Sequence, residues 1–257
     1  MKRILCSRLV PLEPAGADHL SAWPESLHRG VALRHAALHR PGGLLGDHPR
    51  RPTSALLVRD GDAGALEVFG FGDPGFVFES LGELAPGRVV TLSAPACWEA
   101  DMTGAEVGEV ESWRLSSKTR VGTDHTQARR LVAADRPAFE AMAPGWALRG
   151  WGDFGALLAR GAAFGVFGSG GLASVAWTFE SDREFDRIGV ATAPRLRRLG
   201  LGMVVAGALV AHVVEERGRA PLWTVAAENE ASRCLARGLG FERVAVEPVF
   251  RWRVGAA

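Results

Sequence analysis

Tyrosine is absent from this chain of 257 residues, and lysine occurs only as Lys2 and Lys118. Without a phenol, no step can rely on tyrosine as proton donor. The basic residues are almost all arginine, and a formal net charge of +1 provides no global field to draw in nucleic acid or an anionic membrane. Cys6, Cys97 and Cys234 are odd in number and lack metal-ligand spacing, which argues for a reducing compartment and a cytoplasmic protein. No segment approaches the ~20 uninterrupted apolar residues of a membrane span. The basic start, Met1-Lys2-Arg3, leads into an apolar run that Arg8 cuts too short for a secretory signal. His35 and His39 lie one turn apart on a helix expected over residues 25–40. No Cys, Asp or Glu nearby completes a metal site, and His28, Arg34 and Arg40 make the surroundings cationic. The pair reads as a solvated helix face, and no metal is expected.

What the chain does carry is concentrated between Phe185 and Phe241. Residues 185–192 alternate in hydrophobicity as a strand does, with Ile188, Val190 and Thr192 on one side, and Pro194 ends the run. Arg197-Arg198-Leu199-Gly200-Leu201-Gly202 follows, then an apolar helix expected over 203–214 and closed by Gly218. With 32 glycines in the chain, a Gly-x-Gly by itself marks little more than a turn. Placed between strand and helix it does more. Glycines let the loop turn its N–H groups inward where the unpaired amides and positive dipole of a helix start already attract an anion. A Walker A loop needs Lys-Ser/Thr where Met203 stands, and a dinucleotide fold needs a third glycine where Val205 stands. Neither fits.

A strand over 222–226 and a short helix over 230–237 come next, with Asn229 as the cap. The second block is Asn229-x-x-Ser232-x-x-Leu235-x-x-x-Leu239-Gly240-Phe241. Together the two blocks resemble the acyl-CoA-binding core of the GCN5-related N-acetyltransferases, the GNAT superfamily. The pattern is closest to the zwittermicin-resistance-type acetyltransferases, which the stretch from Pro52 to Leu57 and its hairpin also resemble. That resemblance implies an α/β (mixed α+β) fold, with a central mixed, mostly antiparallel sheet flanked by helices.

The expected division is a GNAT domain over 116–257, preceded by a smaller α/β domain over 1–115. Residues 114–124 read as a linker or joining strand. Strands are expected over 162–167 and 172–179, helices near 135–142 and 153–160, and a strand pair over 241–254. In the first part a hairpin is expected from two strands (54–59, 65–71) around Asp60-Gly61-Asp62, with a further strand over 89–92. That part is either a degenerate copy of the GNAT fold or an unrelated α/β cap. It contains no Arg-x-x-Gly-x-Gly loop.

The resemblance also implies roles. Backbone amides of Arg198, Leu199, Gly200, Leu201, Gly202 and Met203 would cradle the pyrophosphate of acetyl-CoA, with Arg197 at the edge. Val190 and Thr192 would offer strand backbone to the pantetheine arm, and Asn229 would hydrogen-bond it while also capping its helix. Where many members place a tyrosine to protonate the leaving thiolate, this chain has Ala236. Ser232, on the first turn of the same helix, is the substitute donor. Cys234 reads as a packed thiol. Asp186 is the candidate base, or else a strand-end charge paired with Arg183 or Arg187; Glu180 and Glu228 are reserves. Trp146 and Trp151, flanking Gly150, border the acceptor pocket or pack in the core, and Glu180 is counted with them on the acceptor side. The expected activity is transfer of an acetyl group to the amine of a small molecule by a monomer or homodimer. A non-catalytic acyl-CoA sensor, or another acyl-CoA reaction such as longer-chain transfer or decarboxylation, is the alternative.

Overall fold

The computed structural model describes residues 9–21, 26–39, 43–61, 64–116 and 126–255, and these divide into two units. The first comprises Met1–Val110 with Val246–Ala257, the second Glu111–Ala245. The sequence boundary at 115/116 lies near this division, but the chain's last segment groups with the first unit. No helix among the described residues is long and apolar enough to cross a membrane.

In the first unit, β1 (Val10–Pro11), α1 (Pro14–Ser21) and α2 (Leu27–His39) precede β2 (Leu44–Gly46), β3 (Ala55–Asp60) and β4 (Leu66–Phe71). Then come α3 (Pro74–Leu84) and β5 (Val89–Ser93). Pairings β1–β2, β2–β3 and β3–β4 are antiparallel, whereas β4–β5, joined through α3, is parallel. The end of β12 (Phe241–Arg253) pairs antiparallel with β5, from Val249 to Arg253. That pairing is why the expected pair of strands over 241–254 is one long strand. His35 is fully buried, with its ring 4.8 Å from that of His39, so this side of α2 is core and not a solvated face. The turn at 60–62 lies partly outside the described residues.

The second unit begins within β6 (Glu106–Leu115), so Arg114 belongs to a strand, and the rest of the expected linker lies mostly outside the described residues. It continues through β7 (Ala128–Arg130), α4 (Arg136–Met142), α5 (Phe154–Arg160), β8 (Ala163–Gly168), β9 (Gly171–Ser181) and β10 (Phe185–Thr192). After these come α6 (Leu201–Glu215), β11 (Ala220–Ala226) and α7 (Glu230–Gly238). Pairings β7–β8, β8–β9 and β9–β10 are antiparallel, and β10–β11, joined through α6, is parallel. From β1 to β5 and from β7 to β11 the two units run through strands and helices in the same order.

One face of this second sheet packs on α6, whose Val205, Ala206, Leu209, Val210 and Val213 join Ile188, Trp223 and Phe241 in a single apolar cluster. On the other face Trp177 and Phe179 of β9 pack with Phe139 of α4 and Phe154 of α5. Gly189 is required here, since a Cβ on it would stand 2.5 Å from Cζ2 of the Trp177 indole that lies across it.

Helix α7 is tied down by a buried carboxylate. Glu111 accepts hydrogen bonds from Arg243 Nη1 (2.8 Å) and Trp113 Nε1 (3.0 Å), and Arg233 Nε stands 3.1 Å away. Burial pushes this carboxyl up, but the Arg243 bond, the Arg233 charge and the Trp113 bond together hold it below the usual carboxylate range. A depressed folded-state value stabilises the protein above the unfolded pKa, about 4 to 5, and that stabilisation is lost as pH falls through the folded value. Urea titrations of Glu111→Gln are therefore expected to show a lower but flatter stability below about pH 5 than wild type.

Candidate functional site

Strands β10 and β11 run together for only half of β10. Their parallel register joins Phe185 through Ile188 to Ala220 through Trp223 and stops there. Gly189, Val190, Ala191 and Thr192 keep antiparallel partners on β9, namely Trp177, Ala176, Val175 and Ser174, but have none on β11. Just before this, the β9–β10 ladder passes from Arg187 opposite Glu180 to Ile188 opposite Thr178, leaving Phe179 of β9 without a partner on β10. An irregularity of this kind bends a strand and increases its twist. Past the fork, one edge of β10 offers backbone donors and acceptors to an extended, amide-bearing ligand.

That edge leads into the start of α6. Beyond Thr192 the chain makes a short 3₁₀ turn at Pro194–Leu196, and Arg197 folds back so that its Nε donates to the Thr192 carbonyl at 3.4 Å. Arg198 (φ 63°) and Gly200 (φ 78°) both take the left-handed conformation, the first a rare one for a residue with a side chain. Turns of this kind gather successive N–H groups into a concave anion cradle. No side chain caps α6, and a Cβ on Gly200 would meet nothing within 4 Å, so the space over these amides is open. Arg195, Arg197 and Arg198 are exposed around it. A Cβ on Gly202 would stand 3.5 Å from both Thr192 Oγ1 and Leu235 Cδ2. The end of β10, the first turn of α6 and helix α7 thus converge around that glycine.

On α7, Asn229 Oδ1 accepts from the Ser232 amide at 3.1 Å, leaving the exposed side-chain amide as a donor. Ser232 Oγ accepts from Trp223 Nε1 at 3.0 Å. Ala236, one turn further on, is fully buried in the core.

Residues 130–248 match the model of the GNAT acetyltransferases. Among solved structures, a GCN5-related N-acetyltransferase-like protein from Streptococcus suis is 21% identical, with a TM-score of 0.66 over 92% of this chain and 96% of that one. A tandem GNAT protein from the clavulanic acid biosynthesis pathway is 13% identical, with a TM-score of 0.67 over 97% and 99% of the two chains. A GCN5-related N-acetyltransferase from Sphaerobacter thermophilus is 16% identical, with a TM-score of 0.63 over 96% of each chain. At these identities the likeness is one of fold. No curated protein matches the chain.

Of the other residues singled out in the sequence, Asp186, Glu180 and Trp151 are buried away from the fork's open edge. Asp186 sits at the opposite end of β10, fully buried, and accepts from Ser181 Oγ, from Arg217 Nε, and from Arg219 Nη1 at 3.1 Å. Its partners are thus Arg217 and Arg219, not Arg183 or Arg187, and both oxygens are engaged. A base must give up such contacts to take a proton, so this geometry is that of a structural ion pair. Glu180 is likewise fully buried and bound to Arg187 Nη1 at 2.6 Å, with Arg187 lying over the Phe179 ring. Trp151 is a core residue, 2% exposed, donating to the Thr178 carbonyl at 2.6 Å. Trp146 is half-buried, its ring 5.5 Å from Trp177 and 5.3 Å from Phe179. Cys234 is exposed and not packed; its thiol donates to Glu230 Oε1 at 3.2 Å, and that bond pushes its pKa up, which keeps it a poor nucleophile. Glu228 is exposed beside Asn229 at the end of β11.

Trp223 carried no signal in the sequence beyond its place in an apolar strand. Its bond to Ser232 depends on the chain returning from β11 into α7.

Breaking a buried ion pair from one side costs about 3–5 kcal/mol. Asp186→Asn should therefore lower stability by about 3 kcal/mol in urea, leaving the shape of the pH–rate profile unchanged. Full stability combined with a lost acidic limb of the pH–rate profile would return Asp186 to the role of base.

Proposed function

We propose that this protein is an acetyl-CoA-dependent N-acetyltransferase acting on the amine of a small molecule, with one CoA site per chain. The observation that carries this is the fork of β10 and β11 opening directly onto an uncapped, glycine-led helix start. The residues fit a CoA pyrophosphate, because nothing fills the space over Gly200 and the surrounding side chains are cationic. The amides of Arg198, Leu199, Gly200, Leu201 and Gly202 hold the pyrophosphate and Arg197 closes its edge, whereas the Met203 amide, expected to join them, already donates to the Gly200 carbonyl at 2.9 Å. Val190 and Thr192 offer the free strand edge to the pantetheine, and the Asn229 amide donates to it. Acetyl-CoA supplies the activated acetyl group.

Ser232 faces the departing sulfur as a hydrogen-bond donor, in place of the tyrosine that Ala236 replaces. The acceptor amine loses its proton to water or to Glu228, since Asp186 and Glu180 are both held by arginines. Trp146 keeps its exposed edge for the acceptor, a small amphipathic amine.

The first unit reads as a degenerate copy of the same fold. Its order of strands and helices repeats that of the second unit, but the start of α3 is occupied by the chain itself. Asp73 caps that helix, its Oδ2 accepting from the Phe76 amide at 2.8 Å, and Pro74 removes a further donor. A carboxylate in that position repels the phosphate that the family's loop attracts.

Calorimetry should therefore find a single CoA bound per chain. Gly200→Val places a branched side chain in the open cradle on a left-handed backbone and should weaken CoA binding at least about tenfold. Two CoA per chain, or undiminished affinity in Gly200→Val, would overturn the assignment.

A further inference from the structure

The geometry points to Trp223 as a positioning residue that aims the Ser232 hydroxyl at the sulfur of the acyl donor. This rests on the acetyltransferase reading and deepens it. An indole N–H can only donate, and a hydroxyl has one proton to give. Because Trp223 Nε1 donates to Ser232 Oγ at 3.0 Å, the serine is committed as acceptor on that side, and its own O–H must find a different acceptor. Ser232 is partly exposed, and its hydroxyl makes no other hydrogen bond among the described residues. Donation into its oxygen also polarises the hydroxyl, so the proton it offers is the more acidic for the bond it receives.

Where this pair stands matters as much as its chemistry. Trp223 is the last residue of β11 to pair with β10, opposite Ile188, so the indole is rooted at the fork. It is 3% exposed and held by an edge contact to Phe241 at 5.6 Å. Ser232 is one turn before Leu235, whose Cδ2 reaches the Gly202 position of the phosphate loop. Indole and hydroxyl thus lie between the fork and the loop, along the path that the free edge of β10 defines.

During transfer the amine lone pair forms the C–N bond, and the C–S bond breaks with its electron pair passing to sulfur. The surplus proton on nitrogen leaves to water, and the thiolate later takes one up from water. Ser232 gives up no proton; it supplies a hydrogen bond to the sulfur as negative charge develops there. Such a bond favours thiolate over thiol, so it lowers the pKa of bound CoA. CoA affinity must then rise with pH from the bound thiol's pKa up to the free thiol's, and level off above it.

Calorimetric titration with CoA and with desulfo-CoA, from about pH 6 to about pH 10, tests this across the range of thiol ionisation. The wild type should bind CoA more tightly as pH rises, and the sulfur-free analogue equally at all pH values. Ser232→Ala should abolish the pH dependence, Ser232→Thr should keep it, and Trp223→Phe should reduce it about threefold to tenfold, the weight of one hydrogen bond. In parallel, the indole N–H resonance shifted by Ser232→Ala identifies Trp223, and it should move on adding CoA but not desulfo-CoA. That readout stands even if Trp223→Phe does not fold. CoA binding with an unaltered pH slope in Ser232→Ala, or a Trp223 resonance blind to CoA, would overturn the inference alone. No CoA binding by the wild type would overturn the acetyltransferase reading beneath it.

Discussion

A helix start leaves backbone N–H groups that must be satisfied, and the two units of this chain meet that requirement in opposite ways. At α3 the Asp73 carboxylate does so from within. At α6 no side chain does, and two left-handed residues turn further amides into the same open space. Everything proposed about ligand binding depends on that difference. An unsatisfied cradle of donors with a positive dipole end behind it is a standing anion site. A capped one is a finished piece of structure.

The open start is useful because of what leads to it. Were β10 and β11 paired along their whole length, their backbone groups would satisfy each other and no ligand could enter. Pairing instead stops at Ile188 and Trp223, and apolar cores lie on both faces of the sheet there. On one face α6 packs Val205, Leu209 and Val213 against the fork's base; on the other the Trp177 indole lies flat on Gly189. At the far end of the same strand, the Asp186 ion pair anchors β10 to Arg217, just beyond α6, and to Arg219 before β11. The strand whose edge is open at one end is clamped at the other.

How much of this was legible in sequence depends on how local the cause was. The limits of β10 at Phe185 and Thr192, the cap at Asn229 and the glycine loop were readable, because alternation, capping chemistry and glycine freedom act within a few residues. The partners of Asp186 were not, because Arg217 and Arg219 lie a helix away and only the closure of the β10–α6–β11 unit brings them to it. Strand alternation sets Asp186 on the side of Ile188, Val190 and Thr192 but does not show which side chains meet it there. The burial of His35 was hidden for a similar reason: a helix rich in histidine and arginine reads as wet until its packing is known. The strand pair expected over 241–254 is one strand, whose end pairs with β5 from Val249 to Arg253.

Hydrogen exchange with and without CoA tests the central claim most directly, that the uncapped start of α6 and the free edge of β10 form the chain's acyl-CoA site. Slowed exchange is expected at residues 189–192, at 198–204 and around Asn229 to Ser232. Residues 72–78 at the start of α3 should be unchanged. Protection at 72–78, or none at 198–204 under saturating CoA, would contradict the account.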